Sequence, residues 1–249
     1  MTLFGESAPS GPVAAVGSVV GSDHVAAFRD NQDGCAARRG YGWSVVVVTD
    51  GCGSAPRSEI GAKLGAVFLA RAAVARLARL TPRAACDAIH GDLVSSLAAA
   101  ARALGGGAAR ARDVLADAFL FSWLCAAVGP TRAVVLGQGD GAFAVDGEVT
   151  QLDPGPANAP SYAAYALTSG DLARPVLHVD RPAVRVASLV VATDGAAGLL
   201  GRGRPLGDLV ASGRLAKNPS LLVKALRVAQ RGGGARDDAT AGAIVRGAP

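Results

Sequence analysis

Aromatic residues make up only 4% of this 249-residue chain, too few for the stacking platforms that single-stranded nucleic acids require. Cysteine is scarce as well. Positions 35, 52, 86 and 125 share no Cys-x-x-Cys pair and no zinc-ligand spacing. Cys125 lies in an apolar run and Cys86 on an expected helix, so both read as small buried hydrophobes, and reduced thiols point to a cytoplasmic setting. No apolar stretch reaches the length that spans a bilayer: 116–128 is too short and contains Asp117. The first residues offer neither a basic start nor an apolar signal core. Blocks of one charge are missing too. The net charge of +5 comes from arginines spread over expected helices and loops. A solvated basic surface of this kind would help attract acidic substrates, and no nucleic-acid or membrane partner is expected.

Half the residues are hydrophobic and 18% are charged, so the chain can bury a substantial core and is not disordered. No internal repeat or linker divides it. The expectation is one domain over 1–249, with residues 1–11 a loose leader.

The organising stretch runs from Ser44 to Gly61. Val45–Val48 is long enough for a buried strand and too short for a helix. It ends in Thr49-Asp50-Gly51, then a small-residue turn, Pro56 and a long helical segment. The same pattern recurs. Ser188–Val191 leads into Ala192-Thr193-Asp194-Gly195, and Gly139-Asp140-Gly141 separates two strand-like runs. The glycine loop 232–234 leads through Ala235-Arg236 to Asp237-Asp238-Ala239-Thr240. An acid at a strand end beside glycine suits a hard cation, because the carboxylate supplies charge and glycine lets backbone carbonyls approach. Four such acids suggest a carboxylate cluster gathered from distant sequence.

In order, Val13–Val20 is strand-like, a second short run Val25–Phe28 leads to a polar knot ending in Asp33-Gly34, and Trp43–Thr49 is a strand. Ser58 to about Leu80 places Ile60, Leu64, Val67, Phe68, Ala72 and Leu77 at helical spacing. Thr81-Pro82 starts a second helix that runs to about Leu104 and stops at three glycines. The pattern from Asp117 to Gly147 is β. Residues 151–181, with Pro154, Pro156, Pro160 and Pro175, read as one loop-rich excursion that holds a short strand at Ala163–Leu167. A brief helix follows Asp194, Pro219–Arg231 is the last helix, and Ala239–Arg246 is the last strand. This order predicts a layered α/β sandwich with the acids at 50, 140, 194 and 237 on one edge between sheets.

Those blocks, together with Asn31-Gln32-Asp33 and Ser58-Glu59-Ile60-Gly61-Ala62, resemble the PPM-type metal-dependent serine/threonine phosphatases, the phosphatase 2C family, in their bacterial branch. The likeness runs from about Ser22 to Val245 with the blocks in matching order. It implies an α+β fold: a four-layer αββα sandwich of two mainly antiparallel sheets flanked by helices. It also implies a hydrolase that removes phosphate from phosphoserine and phosphothreonine through water activated at a binuclear Mn or Mg centre, with a third ion in some members. Asp50 would bridge the two ions and the Gly51 carbonyl would bind one. Asp194 and Asp237 would hold the other, with Asp238 the alternative to Asp237. Asp140 with Asp194 would serve the third ion, and Asp33 would orient water. Partners implied are a phosphorylated protein and a cognate Ser/Thr kinase, with the chain acting as a monomer.

Three departures bear on this. Gln32 stands where an acid is common, Cys52 where eukaryotic members often have a histidine, and the phosphate-binding arginine is best matched by Arg29, with His24 competing for the role. They motivate an alternative: a catalytically weak regulatory module that keeps the fold and binds a phosphoprotein. His90 and His178 are expected to be structural, Trp123 core, Asp113 and Asp117 helix-end or surface residues, and Asp153, Asp171 and Asp180 turn formers.

Overall fold

A computed structural model describes residues 11–155, 159–170, 174–232 and 236–246. Most of the expected leader, Gly233 and Gly234 of the glycine loop, and Asp171 lie outside these residues. The elements in chain order are β1 (Val13–Val19), α1 (Ser22–Ala26), β2 (Gly34–Gly40), β3 (Trp43–Gly51), α2 (Ser58–Leu77), α3 (Pro82–Leu104) and α4 (Ala108–Ala118). Next come β4 (Phe121–Val128), β5 (Arg132–Gln138), β6 (Gly141–Val145), β7 (Glu148–Leu152), α5 (Tyr165–Thr168) and β8 (Val176–Pro182). The chain continues through β9 (Ser188–Ala192), α6 (Asp194–Ala197), α7 (Pro205–Ala211), α8 (Arg214–Lys217), α9 (Leu221–Arg231) and β10 (Ala239–Val245).

Two five-stranded sheets form, in the orders β1-β10-β9-β6-β7 and β2-β3-β4-β5-β8. Every described pairing is antiparallel. The alternation along β3 shows how the layers are made. Val45 and Val47 face α2 and α3, in a core shared with Leu69, Ile89, Leu93 and Cys125. Val46 and Val48 face the opposite sheet, against Phe143, Leu189, Val191 and Ile244. A third core lies beyond that sheet, where Ala192, Ala241 and Ala243 meet Leu206, Leu215, Leu222 and Leu226 of the outer helices. The central strands are covered on both faces, which is why they read as unbroken apolar runs. The result is the four-layer αββα sandwich.

Several elements differ from the sequence reading. Val25–Phe28 is not a strand: α1 ends at Ala26, and Phe28 is fully exposed with φ 52°. The β pattern begins at Phe121, not Asp117, because α4 occupies 108–118 and carries Asp113 and Asp117. Ala163–Leu167 is not a strand but a turn entering α5, with Ala163 and Ala164 buried under the helices. The loop-rich region also yields β8, which carries His178 and Asp180; Asp180 pairs with Arg132 across the strands. In α2 the expected apolar face is only partly the buried one: Leu77 is buried and Phe68 and Ala72 pack against the core. Ile60, Leu64 and Val67 are partly exposed, and the helix instead buries Gly61, Ala62, Gly65, Ala66, Leu69, Ala70 and Ala73. Small residues let the helix axis come close to the sheet, and a Cβ on Gly61 would stand 2.0 Å from the Ala118 carbonyl oxygen. Among the described residues no helix is long and apolar enough to cross a membrane.

Candidate metal centre

The strand ends converge at one edge of the sandwich. Asp50 is the last residue but one of β3, and Asp33 immediately precedes β2, whose Gly34 pairs with Thr49 of β3. Asp140 sits on the connection from β5 to β6, where the chain passes from one sheet to the other. Asp194 follows β9 at the start of α6, and Asp237 precedes β10. Thr193 and Thr240 tie these last two strand ends together, the Thr193 N–H donating to the Thr240 carbonyl at 3.0 Å. All five acids, with Asp238, line a single cleft of about 350 Å³. Gly51, Cys52, Ser54, Ser122, Tyr162, Gln32 and His24 share its wall.

Electrostatics shows how closely the acids are gathered. Burial, opposed by the Thr240 and Thr193 hydroxyls and reinforced by the charges of Asp238 and Asp194, pushes the Asp33 carboxyl from 3.8 up to about 8. The Thr193 hydroxyl donates to Asp33 Oδ2 at 2.9 Å. Asp50 is raised well above the ordinary carboxylate range, first by burial and then by Asp33, Asp194 and Asp140. Asp140 is raised by burial and by Asp194, against a hydrogen bond with Ser122. Carboxylates held this close without a counterion disfavour their own ionisation. A divalent cation among them reverses the sign of that field.

The donor set fits such an ion. The acids and the Gly51 carbonyl offer hard oxygens, the preference of Mg and Mn. Gln32 adds a buried oxygen: its amide nitrogen donates to Ser58 Oγ at 2.7 Å and to the Ala55 carbonyl at 3.3 Å, while Oε1 has no protein partner. His24, Asp237 and Asp238 also bring one ligand-type atom each within 4.8 Å of one another. Asp238 is already engaged three times, however. It accepts the Gly21 N–H at 2.7 Å, the Gln32 N–H at 2.6 Å and His24 Nδ1 at 2.9 Å. Its work is to bind the entry loop to the start of β10, and Asp237 is the acid left open to the cleft.

The family model for protein phosphatase 2C matches residues 20–226. The chain belongs to the protein phosphatase 2C family. No curated relative matches it. Among solved structures, the serine/threonine phosphatase Stp1 from Staphylococcus aureus superposes with a TM-score of 0.59 at 13% identity, covering 99% of this chain and 100% of that one. The S. agalactiae serine/threonine phosphatase gives 0.61 at 14%, covering 94% and 99%. The catalytic domain of the serine threonine protein phosphatase PstP, solved in complex with two manganese ions, gives 0.52 at 17%, covering 94% and 97%. At these identities the likeness is one of fold.

Within this phosphatase 2C fold the acids expected at the site meet in the cleft, whereas Arg29 does not join them. It is exposed and donates from Nη2 to the Gly53 carbonyl at 3.1 Å on the rim. Cys52 lines the cleft, half-buried, its sulfur 3.1 Å from Ser54 Oγ. Sequence reasoning missed Ser122 and Tyr162. Ser122 pairs with Asp50 across β3 and β4, a position that only the register reveals. Tyr162 arrives from the loop-rich region, and no local pattern marks it.

Proposed function

We infer that this chain hydrolyses phosphoserine and phosphothreonine in proteins, using two Mn or Mg ions. The observation that carries the reading is the meeting of Asp33, Asp50, Asp140, Asp194 and Asp237 from five separate strand ends in one cleft of a phosphatase 2C fold. Asp50, the Gly51 carbonyl, Asp194 and Asp237 would hold the two ions, and Asp140 with Asp194 a third. When bound, the ions lower the pKa of a water and screen the phosphate charge during in-line attack. Asp33, locked by the Thr193 hydroxyl, orients the attacking water by accepting its hydrogen bond. The αββα core keeps these groups on rigid strand ends, so reactants are held without a reorganisation cost at the moment of reaction. No cysteine or serine nucleophile is required.

The test is turnover of a phosphoserine peptide with added Mn. Activity should vanish with chelator and fall by about a thousandfold or more in Asp50→Asn and in Asp194→Asn, with circular dichroism unchanged. Full activity in either variant refutes the ligand assignment.

We further propose that residues 1–249 act as one domain and as a monomer in the cytoplasm, opposing a Ser/Thr kinase on shared phosphoproteins. Four free cysteines support the reducing setting. Sizing by light scattering tests the monomer.

A further inference from the structure

His24 lies on α1 and lines the cleft. Its Nδ1 is 2.9 Å from Asp238 Oδ2, with the two side chains 14% and 2% exposed. Asp238 also accepts two backbone N–H groups, from Gly21 and Gln32. A carboxylate with these donors is the charged acceptor, so Nδ1 carries its proton and donates it. The ring plane of His24 is thereby fixed, leaving Nε2 as the nitrogen without this bond, and it is a donor when the imidazole carries both protons.

The rest of the cleft wall makes this notable. Among its described residues there is no lysine or arginine; the charged side chains are acids, and the neutral donors are hydroxyls, a thiol and the Gln32 amide. Arg29, the sequence candidate for holding phosphate, is not itself a lining residue; it is exposed and donates to the carbonyl of Gly53, a residue of the wall. His24 is thus the lining side chain able to carry positive charge toward an incoming phosphate dianion.

We propose that His24 Nε2 donates to a phosphoryl oxygen of the substrate, with Asp238 as the positioning residue behind it. This rests on the phosphatase reading above. The ring sits between the Asp238 carboxylate and the dianion, each accepting from one nitrogen, and charge-assisted hydrogen bonds of this kind are about twice as strong as neutral ones.

Two variants separate contact from scaffolding. His24→Asn keeps a side-chain N–H for Asp238 but ends short of Nε2, whereas His24→Gln reaches toward the Nε2 position without the Asp238 bond. With the Mn-loaded full chain, His24→Asn should raise KM for a phosphoserine peptide and the inhibition constant of inorganic phosphate by about tenfold each. Mn affinity by calorimetry should stay unchanged, and His24→Gln should recover part of the phosphate affinity. Independently of turnover, the His24 Nε2 nitrogen resonance in the Mg-loaded wild type should shift on adding inorganic phosphate. Wild-type KM and phosphate inhibition in His24→Asn, or an Nε2 signal unmoved by saturating phosphate, would overturn the contact. An Nε2 shift in a protein that shows no Mn-dependent turnover supports the contact and overturns the phosphatase reading alone.

Discussion

Cys52 is the thiol most open to chemistry in this chain. Burial pushes it up, but hydrogen bonds with Ser54 and Tyr162 outweigh that and leave it below the ordinary value. Burial raises Cys35 and Cys86 to about 11 and Cys125 further still. Since the thiolate is the nucleophile, a limiting maleimide reagent at neutral pH should label Cys52 first, and Cys52→Ser should lose the fast phase. Mass spectrometry of the digest reads the site, and equal labelling of Cys35 would contradict this. The same residue shows how far single positions were legible. Asp50, Asp140, Asp194 and Asp237 stood out because each sits beside glycine or another acid at the end of an apolar run, a local signature. His24 was a named candidate for holding phosphate, but its bond to Asp238 was not legible, because it joins residues 214 positions apart and depends on how two loops dock. Arg29 was the best match before the first acidic block although its spacing to Asp33 was one residue short, and its side chain turns to the rim.

At the scale of elements, α2 carries the clearest lesson. Helical periodicity in apolar size picked out Ile60, Leu64 and Val67, but the sheet instead takes the glycine and alanine stripe that fits against β3 and Phe121. Reading hydrophobicity alone favours bulk, whereas packing here favours closeness. Gly61→Ala should therefore destabilise the protein. The added methyl meets the Ala118 backbone at 2.0 Å, and overpacking of this kind costs about 1–3 kcal/mol. The helix-propensity gain of Ala over Gly, about 1 kcal/mol, offsets only part of that. A net loss of about 1 kcal/mol, and up to about 2, is expected in urea unfolding, and an equal or more stable variant would show that α2 does not press on α4. Other elements escaped for different reasons. β7 is exposed along nearly its whole length and has no alternating pattern, although Asp146-Gly147, both with positive φ, is a hairpin signal that could have found it. The helix α4 was hidden behind the three glycines that end α3.

For the molecule as a whole, the sandwich brings like charges together at one edge, so its stability is tied to what neutralises them. Without cations, Asp33, Asp50 and Asp140 have raised folded pKa values. Their sign follows from linkage: an acid raised on folding contributes stability that is complete below its unfolded value, 3.8, and is lost as pH rises through its folded value. For Asp33 that loss extends to about pH 8. Chelator-treated protein should therefore melt at progressively lower temperature between about pH 5 and about pH 8.5, and Asp33→Asn should flatten that slope. Adding Mg should do the opposite. Ligand that binds only the folded state adds about 2.7 kcal/mol at about 100 times its Kd, and it competes with protons for the same oxygens, so its effect should grow with pH. The melting curves of stripped and Mg-loaded protein should then diverge toward alkaline pH and converge in acid. Parallel curves would mean that the acids at the sheet edge share no ion, and the fold would then hold its carboxylates together for some reason other than metal binding.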